Sequence, residues 1–328
     1  MPDGRPTARE ERLGHSGWTS NLVLAAAVLP GERALVVVDE PLAEQGSQLV
    51  AALKDAGADP TLSLWAGARP LTAPPPDALA AARSADVYFF LAEKPLGDEA
   101  AARFALGDAV FRHGGRGLYL GFVDAELLEG ELSQPPADVA ASADQLLEEV
   151  RGAREVRVRG AAGTDLRLRV EGRPWITDAR PLGAGEFGNY PGGEIFVAPH
   201  ADGADGVLVA DLTVPYTVPG LVDEPVVLRF AAGRVTSIEG GEAARLLREL
   251  VDRSGTGADV VAELGIGLNP AVAPRGHVML DEKAAKTAHV AIGRNTGSYG
   301  GDNEAAIHVD CIFSSPQLEV DGRPVQLP

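Results

Sequence analysis

The chain has 328 residues, 45% hydrophobic and 23% charged, which is apolar enough for a sizeable core and excludes a wholly disordered polymer. Its 29 Lys and Arg stand against 47 Asp and Glu, a formal net charge of −18 that repels phosphate backbones and anionic lipid. Nucleic acid and membrane are therefore not expected partners, and Cys311, the single cysteine, excludes an intrachain disulfide and suits a cytoplasmic location.

The opening stretch MPDGRPTAREERLG is polar and is expected to be partly disordered. LVLAAAVL (22–29) is too short to span a bilayer and has no basic flank, so no signal peptide is expected. ALVVVDE (34–40) is a β-branched run typical of a strand buried on both faces. A helical pattern follows over 41–57 and ends at Gly57, a glycine suited to a C-cap. Strands are then expected at 61–66, 86–92 and 117–123, alternating with helices at 77–85 and 99–114. This is the βαβα pattern of a doubly wound parallel α/β domain, placed at residues 1–150. The turn after the first strand, DEPLAEQG, has a proline where a phosphate-binding glycine would be needed, so no nucleotide site is expected.

A helix over 137–153 is expected to lead into a second domain, 151–328, of α+β type. REVRVRG, TDLRLRV, EIFVAP, GVLVADLTV, PVVLRF and RVTSIE alternate and are separated by glycine-containing turns, which predicts an antiparallel barrel-like sheet. AAGR (231–234) reads as a hairpin turn. Two helices, 242–253 and 281–293, are expected to lie on this sheet.

The chemistry concentrates in the second half. In EAAIHVDCIF (304–313) one strand face is wholly apolar and the other carries His308 and Asp310, with Cβ atoms about 7 Å apart, within reach of one ion. The plainer alternative is a structural His–Asp pair. His289 is expected in the last turn of the 281–293 helix, where it either complements the helix dipole or faces inward along an alanine-thinned surface. On such a helix Glu282 would lie about 10 Å away, too far to share an ion. Glu194 opens an apolar strand behind Pro-Gly-Gly, a place more often held by a solvent-facing charge. Glu263 sits among Val260, Val261, Leu264 and Ile266, and a carboxylate in so apolar a setting needs a partner, which a metal would supply. His200, Asp202 and Asp205 are expected on a solvated loop, and His277 after the turn at 274–276. Asn295 and Asn303 are the residues by which the glycine-rich loop could line the site.

GGEIFVAP, AELGIGLNP, LDEKAAKTAHVAIG and IHVD, in this order, resemble the metal-site segments of the aminopeptidase T-type metallopeptidases, a leucyl-aminopeptidase-like family. The resemblance covers residues 160–325, and it implies Glu194, Glu263, His289, His308 and Asp310 as ligands of a two-metal centre of zinc, manganese or cobalt. Ions about 3.5–4 Å apart would polarise a scissile carbonyl and acidify a water. The family's peptidases carry a tyrosine seven residues beyond the histidine; that position here is Thr296, and Tyr299, the candidate catalytic tyrosine, is out of register. NTGSYGGDN is also similar to a branch containing ring-opening dioxygenases of dihydroxypyridines, for which His289, His308 and Asp310 would hold one Fe(II). Three readings stand open: an aminopeptidase-like hydrolase of small peptides, an iron dioxygenase of a small molecule, and a non-catalytic peptide-binding member. The family also implies a homodimer.

Overall fold

The computed structural model describes residues 17–328, and the polar opening stretch lies outside them. The first half runs α1 (Trp18–Ala25), β1 (Arg33–Asp39), α2 (Ala43–Asp55), β2 (Asp59–Trp65), α3 (Pro76–Ala82), β3 (Val87–Ala92), α4 (Ala100–Phe111), β4 (Arg116–Gly121), α5 (Ala125–Glu129) and α6 (Ala140–Val150). The strands form a parallel sheet in the order β2-β1-β3-β4. Its central strands are apolar through their middles, Ala34–Val38 and Val87–Ala92, because helices cover both faces. Val36, Val38, Phe89 and Leu91 pack with α1, α2 and α5, while Leu35, Val37 and Phe90 pack with α3 and α4. A fifth parallel strand comes from far along the chain, at residues 187–188.

The second half contributes β5 (Glu155–Arg159), β6 (Asp165–Arg169), β7 (Trp175–Thr177), that fifth strand β8 (Phe187–Gly188), β9 (Glu194–Val197), β10 (Ala204–Ala210), β11 (Val226–Ala231), β12 (Arg234–Glu239), α7 (Glu242–Ser254), β13 (Val261–Gly267), the short α8 (Val278–Asp281), β14 (Thr287–Gly293), β15 (His308–Ser314), β16 (Gln317–Val320) and β17 (Arg323–Val325). The antiparallel strands form two sheets, β12-β11-β10-β6-β5-β16-β17 and β15-β14-β13-β9-β7. Leu166, Leu168 and Leu228 of the larger sheet share one core with Val197, Leu264, Val290 and Val309 of the smaller, together with α6 and α7. The β11–β12 hairpin turns through Ala232 (φ 46°) and Gly233 (φ 78°), the two left-handed residues that a type I′ turn demands.

The segment 281–293 departs from the expected helix. Helix ends at Asp281, and Thr287–Gly293 is the strand β14, paired with β13 and β15. Alanine-rich KAAKTAH favours helix locally, but Ala288, Val290 and Ile292 bury themselves at period two in the shared core, and tertiary packing overrides propensity. The Thr287 hydroxyl lies 2.7 Å from the Asp281 carbonyl and 2.8 Å from that of Ala284, fastening the turn before the strand.

Candidate metal centre

The smaller sheet has two unlike faces. Ile195, Val197, Leu264, Ile266, Val290, Ile292, Val309, Cys311 and Phe313 point into the core. The registers put the alternate residues on the other face: Glu194 opposite Gly267, His289 beside Gly265, Glu263 and Asp310 on either side of Ala291, and His308 opposite Gly293. Glycine or alanine between the ionisable side chains leaves them room. At Gly265 this is compulsory, because a Cβ there would stand 2.1 Å from His289 Cε1.

All five residues named from the sequence converge. His289 Nε2 lies 3.4 Å from Glu263 Oε1, 3.7 Å from Glu194 Oε2 and 3.9 Å from Asp310 Oδ1. His308 Nε2 lies 3.2 Å from Glu263 Oε2 and 3.3 Å from Asp310 Oδ1. His308 Nδ1 is 2.7 Å from the Arg294 carbonyl, which can only accept, so Nδ1 donates and Nε2 is turned to the carboxylates. A carboxylate cannot donate either, so Nε2 meets those oxygens through a proton it carries or through a metal ion. Glu194 Oε2 and His308 Nε2 are buried without hydrogen-bond partners. Two sets could hold an ion, Glu194–Glu263–His289 and Glu263–His308–Asp310, each with donor atoms within 4.8 Å of one another.

The electrostatics follow from that crowding. Burial would lower both imidazoles, but Glu263 and Asp310 outweigh it, lifting His289 above its ordinary value and His308 well above it. Burial would raise Asp310, yet His308, His289 and Lys283 bring it down to about 2. Burial raises Glu194 well above the usual carboxylate range, Asp178 and Glu263 add to it, and Lys283 opposes. Protons and metal ions would compete for such a site.

Sequence reasoning missed three residues here. Lys283 is wholly buried, pairs with Glu194, and lies 3.0 Å from Asp178 Oδ2, 3.1 Å from Glu282 Oε1 and 3.1 Å from Asn189 Oδ1. Asp178 Oδ1 accepts from the backbone N–H groups of Gly193 (2.8 Å) and Glu194 (3.0 Å), fixing the start of β9. Glu282 follows α8 and lines the same cavity as His289, contrary to the spacing that a continuous helix would impose; burial raises its carboxyl to about 8. Lys283 is one of only four lysines in the chain and stands in a metal-site segment, a signal that could have marked it.

The five candidate ligands, with Asp178 and Glu282, line a cavity of about 130 Å³, bordered by α4, β4 and the loop before β15. Tyr299 lines it too, its ring centroid 4.7 Å from that of His308, and burial together with four nearby carboxylates keeps its hydroxyl protonated. The remaining candidates serve structure. His200 Nε2 meets the Glu171 carbonyl at 2.9 Å, Asp202 pairs with Arg169, and Asp205 accepts from Ala232 N–H. His277 Nε2 meets the Phe122 carbonyl at 2.6 Å. Asn295 bonds the Ala262 carbonyl and accepts from Asn303 N–H, and Asn303 bonds the Gly257 and Gly293 carbonyls; both hold the glycine-rich loop.

Residues 138–325, more than half the chain, match the family described as thermophilic metalloprotease (M29). The chain belongs to that family. Among its relatives, aminopeptidase T of Thermus aquaticus is 31% identical over 181 residues, covering 49% of this chain and 43% of that protein. Aminopeptidase AmpS of Bacillus subtilis is 29% identical over 186 residues, covering 49% of this chain and 44% of that protein. The match thus spans less than half the length of these curated relatives. Two solved structures share the fold across 94% of this chain. One is a 2,5-dihydroxypyridine dioxygenase of Pseudomonas putida (TM-score 0.70, 19% identity, 94% of that chain); the other is AmpT of Thermus thermophilus (TM-score 0.66, 20% identity, 96% of that chain). No described helix is long and apolar enough to cross a membrane.

Proposed function

We propose that this M29 member is a metal-dependent aminopeptidase-like hydrolase that removes an N-terminal residue from a small peptide at a dinuclear centre. The observation that carries the reading is the sharing of Glu263 between both donor sets: one oxygen faces His289 and the other His308, so Glu263 would serve in holding either ion. Glu194 and His289 would complete one site, and His308 and Asp310 the other. Divalent ions held there supply Lewis acidity toward a carbonyl and lower the pKa of a water. The orphaned Glu194 Oε2 and the Nε2 of His308 fit such ions.

The chain's own residues do the rest. Lys283 engages the other Glu194 oxygen, so Oε2 is left toward the centre. The Arg294 carbonyl accepts from His308 Nδ1 and so fixes the tautomer that leaves Nε2 free to ligate. Tyr299, with its proton retained, is suited to donate a hydrogen bond to the oxygen that gains charge as the amide is attacked. Glu263 and Asp310, whose carboxyls the two imidazoles keep ionised, would attract a substrate's α-ammonium.

Elemental mass spectrometry of the purified chain, followed by aminoacyl-anilide assays, tests the reading. About two zinc, manganese or cobalt ions per chain, lost together with anilide hydrolysis in His308→Ala, are expected. A single iron with oxygen uptake on hydroxylated pyridines would replace the hydrolase reading with the dioxygenase one.

A further inference from the structure

The cavity that holds the carboxylates is also lined by Arg103 of α4, Tyr119 of β4 and Tyr216. The Arg103 side chain is 6% exposed, so its charge is almost wholly removed from water. Its guanidinium donates to the Leu96 carbonyl (2.8 Å) and to the Tyr216 hydroxyl (3.0 Å), two neutral acceptors for a group with five N–H donors. Glu99 comes no nearer than 4.0 Å, beyond hydrogen-bond distance. That carboxylate is already engaged by Arg69, by the Leu71 N–H at 2.8 Å and by the Trp65 indole at 3.4 Å. The guanidinium lies 6.0 Å over the Tyr119 ring, and the Tyr119 hydroxyl is buried near that of Tyr216 with no charged partner.

A buried cation without a hydrogen-bonded anion is costly unless a ligand completes it. The other arginine lining the cavity, Arg294, needs none: it reaches both oxygens of Asp108 at 3.0 and 2.8 Å and stacks on Phe104. Apolar walls, among them Phe104, Phe122, Phe196 and Met279, complete the cavity.

We propose that Arg103, with the hydroxyls of Tyr119 and Tyr216, anchors a carboxylate of the substrate, and that the enzyme acts on small peptides carrying one. Planar guanidinium and carboxylate match as a two-pronged pair, and the tyrosine hydroxyls can donate to the same oxygens. The carboxylate belongs either to the free C-terminus of a dipeptide or to an acidic N-terminal side chain. This inference rests on the hydrolase reading above only for the reaction, not for the binding.

The test uses the metal-loaded protein, with Arg103→Gln and Arg103→Lys beside the wild type. Calorimetry compares 3-phenylpropanoate with 3-phenylpropanamide. The acid should bind the wild type at least tenfold more tightly than either variant, and the amide equally to all three. In kinetics, Phe-Ala against Phe-Ala-amide and Glu-anilide against Gln-anilide distinguish the two sources. For the substrate carrying the anchored group, KM should rise at least tenfold in the variants while kcat stays within about threefold. If Arg103→Gln fails to fold, Arg103→Lys keeps the charge without the fork and decides the matter. Equal binding of the acid by wild type and Arg103→Lys would overturn the anchor, even if hydrolysis is observed. An Arg103-sensitive preference for the acid with no hydrolysis of any peptide would keep the anchor and remove the hydrolase reading.

Discussion

The two faces of the β15-β14-β13-β9 sheet use the same strands for opposite ends. On one face, alternate residues are large and aliphatic or aromatic and disappear into the core shared with the larger sheet. On the other, two imidazoles and three carboxylates stand among glycine and alanine, with Lys283 alongside. Neither face would be stable alone. The apolar face supplies the burial that holds five repelling or desolvated groups at fixed spacing, and the polar face gives up packing to leave room for ions. Changes on the two faces should therefore be separable: one should move stability and leave metal content, the other the reverse.

The largest effect is expected where the polar face is itself part of the stability. Lys283→Met removes the one ammonium that Asp178, Glu194 and Glu282 share. Breaking a buried pair of this kind costs about 3–5 kcal/mol. Urea unfolding of the metal-free variant should show that loss, and added divalent ions should recover part of it. A loss below about 1 kcal/mol would mean that the cluster is solvated and that Lys283 does not hold it. On the apolar face, Ile266→Ala truncates a fully buried side chain and should cost about 3 kcal/mol, within the range for core aliphatic truncations. Its folded fraction should bind as many ions as the wild type, and a lower stoichiometry would show that the faces are not independent.

Gly265→Ala tests the boundary between them. The added methyl meets the His289 ring at 2.1–2.2 Å, so the ring must leave its place or the strands must part. Stability should fall by about 1–3 kcal/mol, as for an overpacked core. Metal affinity should fall with it, unlike in Ile266→Ala.

How far these features could be read from the sequence depends on range. The parallel sheet, the antiparallel strands and the alternation in IHVDCIF are local patterns, and they were legible because one or both strand faces are buried. The strand at 287–293 was not, because its period of two begins only at Thr287, directly behind an alanine-rich stretch with helical preference. Lys283, Asp178 and Gly265 act through partners many residues away, and no spacing rule connects Lys283 to Glu194 or Gly265 to His289. The same holds for Phe187–Gly188, a two-residue strand whose only sign is its pairing with β4. The convergence of Glu194, Glu263, His289, His308 and Asp310 followed from the resemblance of four ordered segments, whereas composition and periodicity alone would have left them apart.

The smallest expected effect concerns Tyr299, which sits over the polar face without belonging to the sheet. Its ring packs near those of Phe187, Phe196 and His308, so Tyr299→Phe keeps the packing and removes only the hydroxyl. Stability and metal stoichiometry should stay at wild-type values. If the hydroxyl donates to the developing oxyanion, kcat should fall about tenfold while KM is nearly unchanged, because the interaction strengthens only as charge develops. A rise in KM with kcat preserved would instead assign Tyr299 to substrate binding. No kinetic change at all would leave its ring as a wall of the cavity, and Thr296, which lines the same cavity, would be the next residue to vary.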